Sequence, residues 1–502
     1  MACPIHNLNE DLNRVVNDDD CSKTNDFQLL SKDCSSYASV NDVYVAKVES
    51  LFDNDGEGSQ VQSDNGLVLV DTIRKDGMSC QTSRAFYRAG RRTPLYFPVV
   101  DGGTTTTTLN AAIVTAGGLC PGLNNVIREV VLTLYNTYNA NNVYGIVGGW
   151  NGFVNPDYKP IKLTPDIVES IHHEGGSILK TSRGGLDVDK VIEFLTKNHI
   201  SHLYIVGGDG THRGAYKIHQ ECSKRKLKIA VAGIPKTIDN DIDYIDRSFG
   251  FYTAIEAAQA SIRTALIEAK CTLPNGVGVI KLMGREAGFL AAFAALGSGD
   301  VDAVLLPEVP IKLRGDDGIL PHIFNRVKEK QYAVVVVAEG AGKNLLGDTG
   351  LKEEGSGNDI LPPIAEYIRD QIKDYFKEQN EEVRMKYIDP SYNVRAVAAN
   401  AIDSMYCYQL AHNAVHGCMN GLTGFSTGMV NNRTVYIPIP TLVATSPRCM
   451  DPHGPIYDRI LAMTKQPVPN DFFKGKGKGI DDNNKGMISS TSFPKLPEPA
   501  VH

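Results

Sequence analysis

The sequence predicts an α/β protein built on doubly wound, mainly parallel sheets. From residue 111 onward, apolar runs of strand length alternate with segments of helical periodicity, and this alternation implies parallel pairing. Three of the runs end in loops rich in glycine or carboxylates, at residues 117–122, 207–211 and 235–241. Open α/β sheets bind ligands at the carboxyl ends of their strands, so we expect the chemistry to lie in these loops.

Length and charge limit the classes of partner. The chain has 502 residues and a formal net charge of -7. That length suits two or three domains, and the charge gives no electrostatic reason to bind nucleic acid or an acidic membrane surface. No apolar run approaches the roughly 20 residues that a membrane-spanning helix needs. We therefore expect neither nucleic acid nor a membrane as a partner.

The cysteines and the first residues indicate the compartment. The sequence has 10 cysteines and no Cys-x-x-Cys pair, which indicates neither a zinc ribbon nor a disulfide framework. The first residues are acidic and lack an apolar core, unlike a signal peptide or an Arg-rich transit peptide. These features predict a reducing, cytoplasmic environment.

The two ends of the chain differ from its middle. Residues 1–84 are polar and rich in Asp, Asn and Ser, which predicts an N-terminal extension and not an independent domain. Residues 469–502 contain a stretch in which Lys and Gly alternate, which is typical of a flexible C-terminal tail.

The first loop, Gly-Gly-Leu-Cys-Pro-Gly at 117–122, lies between a predicted strand at 111–115 and a predicted helix at 126–134. Glycines in that position let backbone N–H groups approach a phosphate at the helix N-terminus. The loop matches neither the Walker pattern nor Gly-x-Gly-x-x-Gly. A tight turn that needs positive φ explains it at least as well.

The second loop follows a predicted strand at 203–206 and precedes a helix expected from about residue 213. It reads Gly207-Gly208-Asp209-Gly210-Thr211. Its glycines permit close approach to a phosphate chain, Asp209 can hold Mg²⁺, and Thr211 can cap the helix. A turn with an Asx cap is the alternative. Four small residues around one carboxylate favour the functional interpretation.

The third loop reads Pro-Lys-Thr-Ile-Asp-Asn-Asp at 235–241 and follows an apolar run at 228–234. Thr237, Asp239 and Asp241 occupy alternate positions. The two carboxylates suit a base and its helper, or ligands to Mg²⁺ and a phosphate-bearing substrate. A polar turn in which the Asp side chains cap backbone N–H groups is equally compatible with this stretch alone.

Later polar residues also follow predicted strands. Arg285 lies at a strand-to-helix junction, where an arginine suits an anionic sugar phosphate through bidentate contacts. Glu339 directly follows an apolar strand and can accept hydrogen bonds from sugar hydroxyls, with a salt bridge as the alternative. Lys386, Tyr392 and Arg395 form a second candidate grip on phosphate.

Five motifs in this order resemble those of the phosphofructokinase family, and the resemblance covers roughly residues 85–468. They lie at residues 117–122, 207–211, 235–241, 283–285 and 339–340. Within the family, residues 84–97 and 386–395 are most similar to the plant-type ATP-dependent enzymes. The resemblance implies two Rossmann-like halves with the active site in the cleft between them, usually in a homotetramer. It also implies that ATP and Mg²⁺ are used to phosphorylate fructose 6-phosphate in glycolysis.

The resemblance also implies roles for individual residues. Asp239 matches the base that takes the proton of the sugar 1-hydroxyl, and Thr237 and Asp241 match neighbours that position substrate and metal. Asp209 matches the carboxylate that holds Mg²⁺. The residues that match the family's phosphate loops are Gly118, Gly208, Gly210 and Thr211. Arg183 and Trp150 match positions at which the family contacts the nucleotide, in looser motifs. The sugar phosphate site is matched by Met283, Gly284, Arg285 and Glu339, with Lys386, Tyr392 and Arg395 around the 6-phosphate.

This chain departs from the bacterial pattern at three positions. Lys386 and Tyr392 stand where bacterial relatives have Arg and His, and Gly276 stands where those have another Arg. We therefore expect phosphate affinity to depend more on Arg395.

The same resemblance suggests the domain division. We expect a nucleotide-binding domain at residues 85–250, completed by about 394–445. We expect a sugar-phosphate-binding domain at 251–393, completed by about 446–468.

Two residues, Gly210 and Lys236, give different indications of the phosphoryl donor. Gly210 favours ATP, because relatives that use pyrophosphate typically have Asp there. Lys236 also occurs in pyrophosphate users, although plant-type ATP enzymes combine it with the glycine. We expect ATP. A pyrophosphate-dependent enzyme, an NAD or lipid kinase and a non-catalytic regulatory subunit are the alternatives.

Overall fold

The structure is a computed structural model. It describes residues 43–45, 49–50, 67–71, 83–89, 99–101, 104–106, 109–347, 349–351 and 360–469. Most of the predicted N-terminal extension and almost all of the predicted C-terminal tail lie outside these residues.

The described part of the chain contains the following strands, in chain order. They are β1 (Val43–Val45), β2 (Glu49–Ser50), β3 (Leu67–Asp71), β4 (Ser83–Arg88), β5 (Val99–Asp101), β6 (Thr104–Thr106), β7 (Asn110–Thr115), β8 (Asn142–Ile146), β9 (Ile161–Leu163), β10 (His202–Gly207), β11 (Ala230–Pro235), β12 (Gly276–Leu282), β13 (Ala303–Leu305), β14 (Tyr332–Ala338), β15 (Arg384–Ile388), β16 (Leu422–Thr423), β17 (Phe425–Val430) and β18 (Arg433–Pro438).

The helices of the same ranges are α1 (Leu123–Tyr138), α2 (Asn151–Val154), α3 (Pro165–Val168), α4 (Val188–Lys197), α5 (Asp209–Lys224), α6 (Phe251–Cys271), α7 (Phe289–Ser298), α8 (Ile319–Lys330), α9 (Lys343–Leu346), α10 (Ile364–Glu378), α11 (Asn393–Ala396), α12 (Ala401–Met419), α13 (Ile439–Thr445) and α14 (Pro455–Thr464), with a 3-10 helix at Ile171–His173. Within these described ranges, none of the helices combines the length and apolarity that crossing a membrane requires.

A large sheet organises the first part of the fold. Its strand order is β1-β4-β18-β17-β11-β10-β7-β8-β9, with β3 also paired to β4. The central strands β17, β11, β10, β7 and β8 run parallel. The hairpin of β17 and β18 is antiparallel and joins the sheet from a much later part of the chain.

A smaller sheet organises the second part. It has the order β13-β14-β12-β15, and its strands are all parallel. Strand β14 is buried along almost its whole length, as expected for a parallel strand covered by helices on both faces. The predicted α/β class with mainly parallel sheets is confirmed.

One hydrophobic core connects the two sheets. The largest cluster of buried side chains includes residues of β7, β10 and β11 from the large sheet, and of β12 and β14 from the small one. Helix α6 contributes Phe251, Ala254, Ala258 and Ile262 to it, at the spacing of a single helical face. The helix begins after Gly250, whose φ of 83° is in the left-handed region that glycine adopts readily.

Two local predictions differ from the structure. The helix expected from residue 213 begins at Asp209, with Gly208 at its N-cap, so Thr211 lies in the first turn and does not cap it. An acidic residue in the first turn is favoured by the helix dipole. The apolar spacing of residues 165–174 predicts one helix, but the structure divides this stretch into α3 and the 3-10 helix.

Candidate active site

Three loops meet at the carboxyl edge of the large sheet. Strands β10 and β11 end in register, since Gly207 pairs with Pro235. The last residue of β7, Thr115, pairs with Val206 of β10. The loops at 117–122, 207–211 and 235–241 therefore leave the sheet side by side, where open α/β sheets bind ligands.

Two cationic side chains converge on the first loop. Lys236 is only 6% exposed, and its Nζ donates a hydrogen bond of 2.5 Å to the carbonyl oxygen of Gly118. A Cβ added at Gly118 would lie 3.7 Å from Nη2 of Arg183. Gly117 has φ of 94°, which explains why a glycine stands there. A lysine and an arginine beside a glycine loop suit a phosphate chain.

The second loop places a carboxylate at the start of α5. Asp209 Oδ1 accepts a hydrogen bond from the N–H of Gly210 at 2.6 Å, and Oδ2 pairs with Nη1 of Arg213 at 2.6 Å. A Cβ added at Gly210 would meet no atom within 4 Å, so the space beside it is open. Thr211 is buried, and a Cβ at Gly207 would lie 2.5 Å from its side chain. Thr211 therefore packs beneath the loop.

The third loop carries a buried carboxyl, Asp239. Its backbone N–H donates to Oγ1 of Thr237 at 3.1 Å. Its buried Oδ1 has no hydrogen-bond partner among the described residues. Burial raises the pKa of Asp239 well above its ordinary value, and the neighbouring carboxylates of Asp241 and Glu339 raise it further. A carboxyl with a raised pKa and an open oxygen is suited to accept a proton.

Asp241 is close enough to both Asp239 and Asp209 to interact with them electrostatically. Burial raises the pKa of Asp241. A hydrogen bond with Thr237 opposes that rise, the charge of Asp209 adds to it, and Arg448 lowers it. The electrostatic interaction between Asp241 and Asp209 agrees with the register of β10 and β11, which places the second and third loops side by side.

The small sheet presents its own carboxyl edge, formed by β12 and β14. Leu282 and Ala338, the last residues of these strands, are paired, and the N–H of Glu339 donates to the carbonyl oxygen of Leu282 at 2.9 Å. A Cβ at Gly340 would lie 1.8 Å from the carbonyl oxygen of Arg285. Only glycine fits at position 340, so the loop carrying Met283, Gly284 and Arg285 lies directly against the one carrying Glu339.

The two edges face each other across Asp239. Charges from both sheets act on the pKa of this carboxyl: Asp241 and Lys236 from the large sheet, and Glu339 and Arg285 from the small one. Burial raises the pKa of Glu339, and the nearby Arg285 opposes that rise. The arrangement can therefore hold a phosphate chain on one side of a base and a polar, anionic substrate on the other.

Comparison with known proteins agrees with this geometry. The family model described as phosphofructokinase matches residues 110–418. The chain belongs to the phosphofructokinase family. It is 46% identical to ATP-dependent 6-phosphofructokinase 5, chloroplastic, of Arabidopsis thaliana over 76% of this chain and 69% of that protein. It is 43% identical to ATP-dependent 6-phosphofructokinase 7 of the same plant, covering 81% of each chain.

A solved phosphofructokinase structure has the same fold. The phosphofructokinase of Pichia pastoris in the T-state matches with a TM-score of 0.56 and 21% identity. The match covers 79% of this chain and 40% of that chain. The likeness concerns the fold alone.

The three residues of this phosphofructokinase that are predicted to surround the 6-phosphate, Lys386, Tyr392 and Arg395, are only partly brought together. The Cζ of Arg395 lies 4.9 Å from the ring centroid of Tyr392, and Tyr392 is 73% exposed. Lys386 forms an ion pair of 2.9 Å with Glu268 of α6. It lies inside β15 and pairs with Gly278 in the middle of β12, so its side chain faces a helix and not the strand ends.

Trp150, a predicted nucleotide contact, lies in the core. It is 4% exposed and belongs to a buried cluster, with its ring centroid 6.2 Å from that of Phe153. Burial in an apolar cluster is the ordinary environment of a tryptophan side chain and leaves little surface for a ligand.

Two residues at the site were missed as site residues by sequence reasoning. The sequence ties Lys236 only to the choice of phosphoryl donor, although its place in the third motif is a usable signal for a site residue. Arg448 lies more than 200 residues from the loop it contacts, and its local sequence contains no signal for that contact.

Proposed function

We propose that this chain is an ATP-dependent 6-phosphofructokinase, which transfers the γ-phosphoryl group of ATP to the 1-hydroxyl of fructose 6-phosphate. The observation that carries the proposal is the position of Asp239 between two strand edges, one lined by phosphate-type loops and the other by Arg285 and Glu339. Relatives named as ATP-dependent 6-phosphofructokinases, at 43% and 46% identity, support the same activity.

Asp239 is the proposed general base. Phosphoryl transfer to a hydroxyl needs a group near the nucleophile that accepts its proton. The raised pKa of Asp239 makes its carboxylate a stronger base than an ordinary aspartate. Thr237 holds the backbone of Asp239 in place, and Asp241 keeps a second carboxyl beside it.

The nucleotide phosphates are assigned to the first two loops. Gly118, Gly208 and Gly210 allow the donor to approach the backbone, and the N-terminus of α5 attracts anions. Arg183 and Lys236 supply positive charge beside Gly118. Holding the donor in line and neutralising its charge are the main contributions a protein makes to this reaction.

The residues present fit Mg²⁺ bound together with nucleotide phosphates. Among the described residues there is no group of three or more His, Cys, Asp or Glu that would form an all-protein metal site. Mg²⁺ commonly uses one or two carboxylates, substrate phosphates and water instead. Asp209, with Asp241 close by, would provide the carboxylates. Bound there, the ion would supply charge neutralisation for the transferring phosphoryl group.

The sugar phosphate is assigned to the small sheet. Met283, Gly284 and Arg285 form one loop of this site, and Glu339 would accept hydrogen bonds from sugar hydroxyls. Tyr392 and Arg395 are proposed to bind the 6-phosphate. Lys386 is assigned a smaller part in this binding, because it forms an ion pair with Glu268.

Assembly, location and domain division are further proposals. We expect a homotetramer, as the family resemblance implies. Five of the described cysteines are free thiols, which suits a reducing compartment such as the cytoplasm: Cys120, Cys222, Cys271, Cys407 and Cys418. Two relatives are named as chloroplastic. Residues 425–438 join the large sheet, which supports a nucleotide-binding domain at 85–250 completed by 394–445.

One assay tests the activity and its alternatives. The purified chain alone is incubated with fructose 6-phosphate and either ATP or pyrophosphate, and fructose 1,6-bisphosphate is measured. Turnover with ATP is expected. Preference for pyrophosphate would identify the other donor class, and no turnover with either donor would favour a non-catalytic subunit. Light scattering of the same sample gives the oligomeric state, and imaging of a tagged full-length chain gives the compartment.

A further inference from the structure

Residues 446–450 form the first part of the connection between α13 and α14 and contact the elements that carry Asp241 and Asp209. The N–H of Arg448 donates to the carbonyl oxygen of Asp241 at 2.7 Å. The carbonyl oxygen of Ser446 accepts from Nη2 of Arg213, the residue paired with Asp209. This segment, here called the 446–450 segment, is therefore in contact with the loops of Asp241 and Asp209.

The guanidinium of Arg448 donates hydrogen bonds to the loop that contains residues 240–246. Its Nε donates to the carbonyl oxygen of Asn240 at 3.1 Å, Nη1 to that of Ile245 at 2.9 Å, and Nη2 to that of Asp246 at 3.4 Å. The wide planar fork of a guanidinium donates to separated carbonyl oxygens in a fixed geometry, which the compact ammonium of a lysine cannot reproduce. These contacts hold both ends of residues 240–246, which begin directly after Asp239.

The loop needs such an external support. Asn240 and Tyr244 have positive φ, at 55° and 63°, so the chain reverses direction without a helix or strand to hold its backbone. Residues outside regular structure depend on side chains to satisfy their carbonyl groups. Arg448 satisfies three of them from a segment more than 200 residues away in sequence.

The other end of the segment reaches the sugar-phosphate side. The Cζ of Arg448 lies 5.1 Å from the ring centroid of Phe289, the first residue of α7. The N–H of Met450 donates to Oε1 of Glu308 at 2.9 Å, and the same oxygen accepts from the N–H of Gly288 at 2.8 Å. The segment is thus also tied to the loop that follows Arg285.

We infer that Arg448 is a positioning residue, which holds the loop of Asp239 and Asp241 in register with the loops of Asp209 and Arg285. This inference rests on the proposed function, since the quantity it affects is the rate of phosphoryl transfer. Arg448 reaches the reacting atoms only through the loop it supports, so its removal should lower kcat far more than it weakens substrate binding.

The test compares Arg448→Ala and Arg448→Lys with the wild-type enzyme, using ATP and fructose 6-phosphate. A misplacement of about 1 Å at a catalytic group costs roughly 10²-fold in rate. We therefore expect Arg448→Ala to lose about 10²-fold in kcat, with both KM values within a factor of about three of wild type. Arg448→Lys should recover only part of the loss, and added guanidinium ion at a non-denaturing concentration should partly restore Arg448→Ala.

The matched control is Arg326→Ala. Arg326 is a partly buried arginine of α8 whose Nε binds Asp302 at 3.1 Å, and Asp302 contacts the N–H of Val334 near the amino end of β14, the edge opposite Glu339. Arg326→Ala should therefore leave kcat near the wild-type value.

The inference is overturned if Arg448→Ala has wild-type kcat or if Arg448→Lys has full activity. It is also overturned if added guanidinium does not restore Arg448→Ala and the activity lost by this variant equals its unfolded fraction. If Arg448→Ala does not fold, the kcat of Arg448→Lys decides. An inactive wild-type chain would instead contradict the proposed function.

Discussion

Placing a carboxylate at position 210 should separate the two possible phosphoryl donors. Gly210 lies in the first turn of α5, and a Cβ there would meet no atom within 4 Å. The Cβ that Gly210→Asp introduces therefore meets no steric conflict inside the protein. An acidic residue in the first turn is also compatible with the helix dipole, so we expect the variant to fold with a Tm near that of wild type.

The expected cost is electrostatic. A nucleotide held on this loop would bring its α-phosphate to within about 5 Å of the new carboxylate, and two like charges at that distance repel by about 3 kcal/mol at an effective dielectric constant near 20. Since each 1.4 kcal/mol or so corresponds to about a tenfold change, kcat/KM for ATP should fall by roughly 10²-fold. Pyrophosphate has no α-phosphate or nucleoside, so its use should be unchanged or improved.

The assay is kcat/KM for each donor at saturating fructose 6-phosphate, with two control variants. Gly210→Ala adds only a Cβ in open space and should keep wild-type activity. Gly210→Asn has nearly the shape of the aspartate without its charge and should lose much less than Gly210→Asp. Equal losses in the Asn and Asp variants would refute the electrostatic argument. Full ATP activity in Gly210→Asp, or a wild-type preference for pyrophosphate, would refute the assignment of this loop.

Three further predictions concern the base and the sugar phosphate. Asp239→Asn should lower kcat by about 10²–10⁴-fold with nearly unchanged KM values, and near-normal kcat in steady-state assays would exclude it as the base. The same variant should melt at a higher temperature than wild type in mildly alkaline, metal-free buffer. The raised folded-state pKa of Asp239 means that wild type loses stability as pH rises from the ordinary aspartate range through that pKa. The difference in Tm between Asp239→Asn and wild type should therefore vanish in acid. A Tm difference that does not change with pH would contradict the raised pKa as its cause. Arg285→Ala and Arg395→Ala should each raise KM for fructose 6-phosphate far more than KM for ATP, whereas equal effects on both would indicate a folding or interface role.

Much of the fold and of the motif positions was predictable, because those signals are local. Glycines and carboxylates directly after apolar runs mark the ends of β7, β10 and β11, and the turns there need small or polar residues whatever the rest of the chain does. The apolar residues of 251–270 are spaced along one helical face, which predicts a helix there, and α6 corresponds closely to that prediction. Such spacing is visible in any short window of sequence.

The environment of each side chain depends on residues that are distant in sequence. Asp239 acquires its raised pKa from burial and from Glu339, 100 positions later, and no local pattern contains that distance. Trp150 is in the core and Lys386 faces Glu268 because of which faces the helices cover. Arg448 reaches the loop of Asp239 because the β17–β18 hairpin brings the later chain to the large sheet. Propensities and turn chemistry act over a few residues, whereas burial, charge and hydrogen bonding at the site are set by the packing of the whole chain.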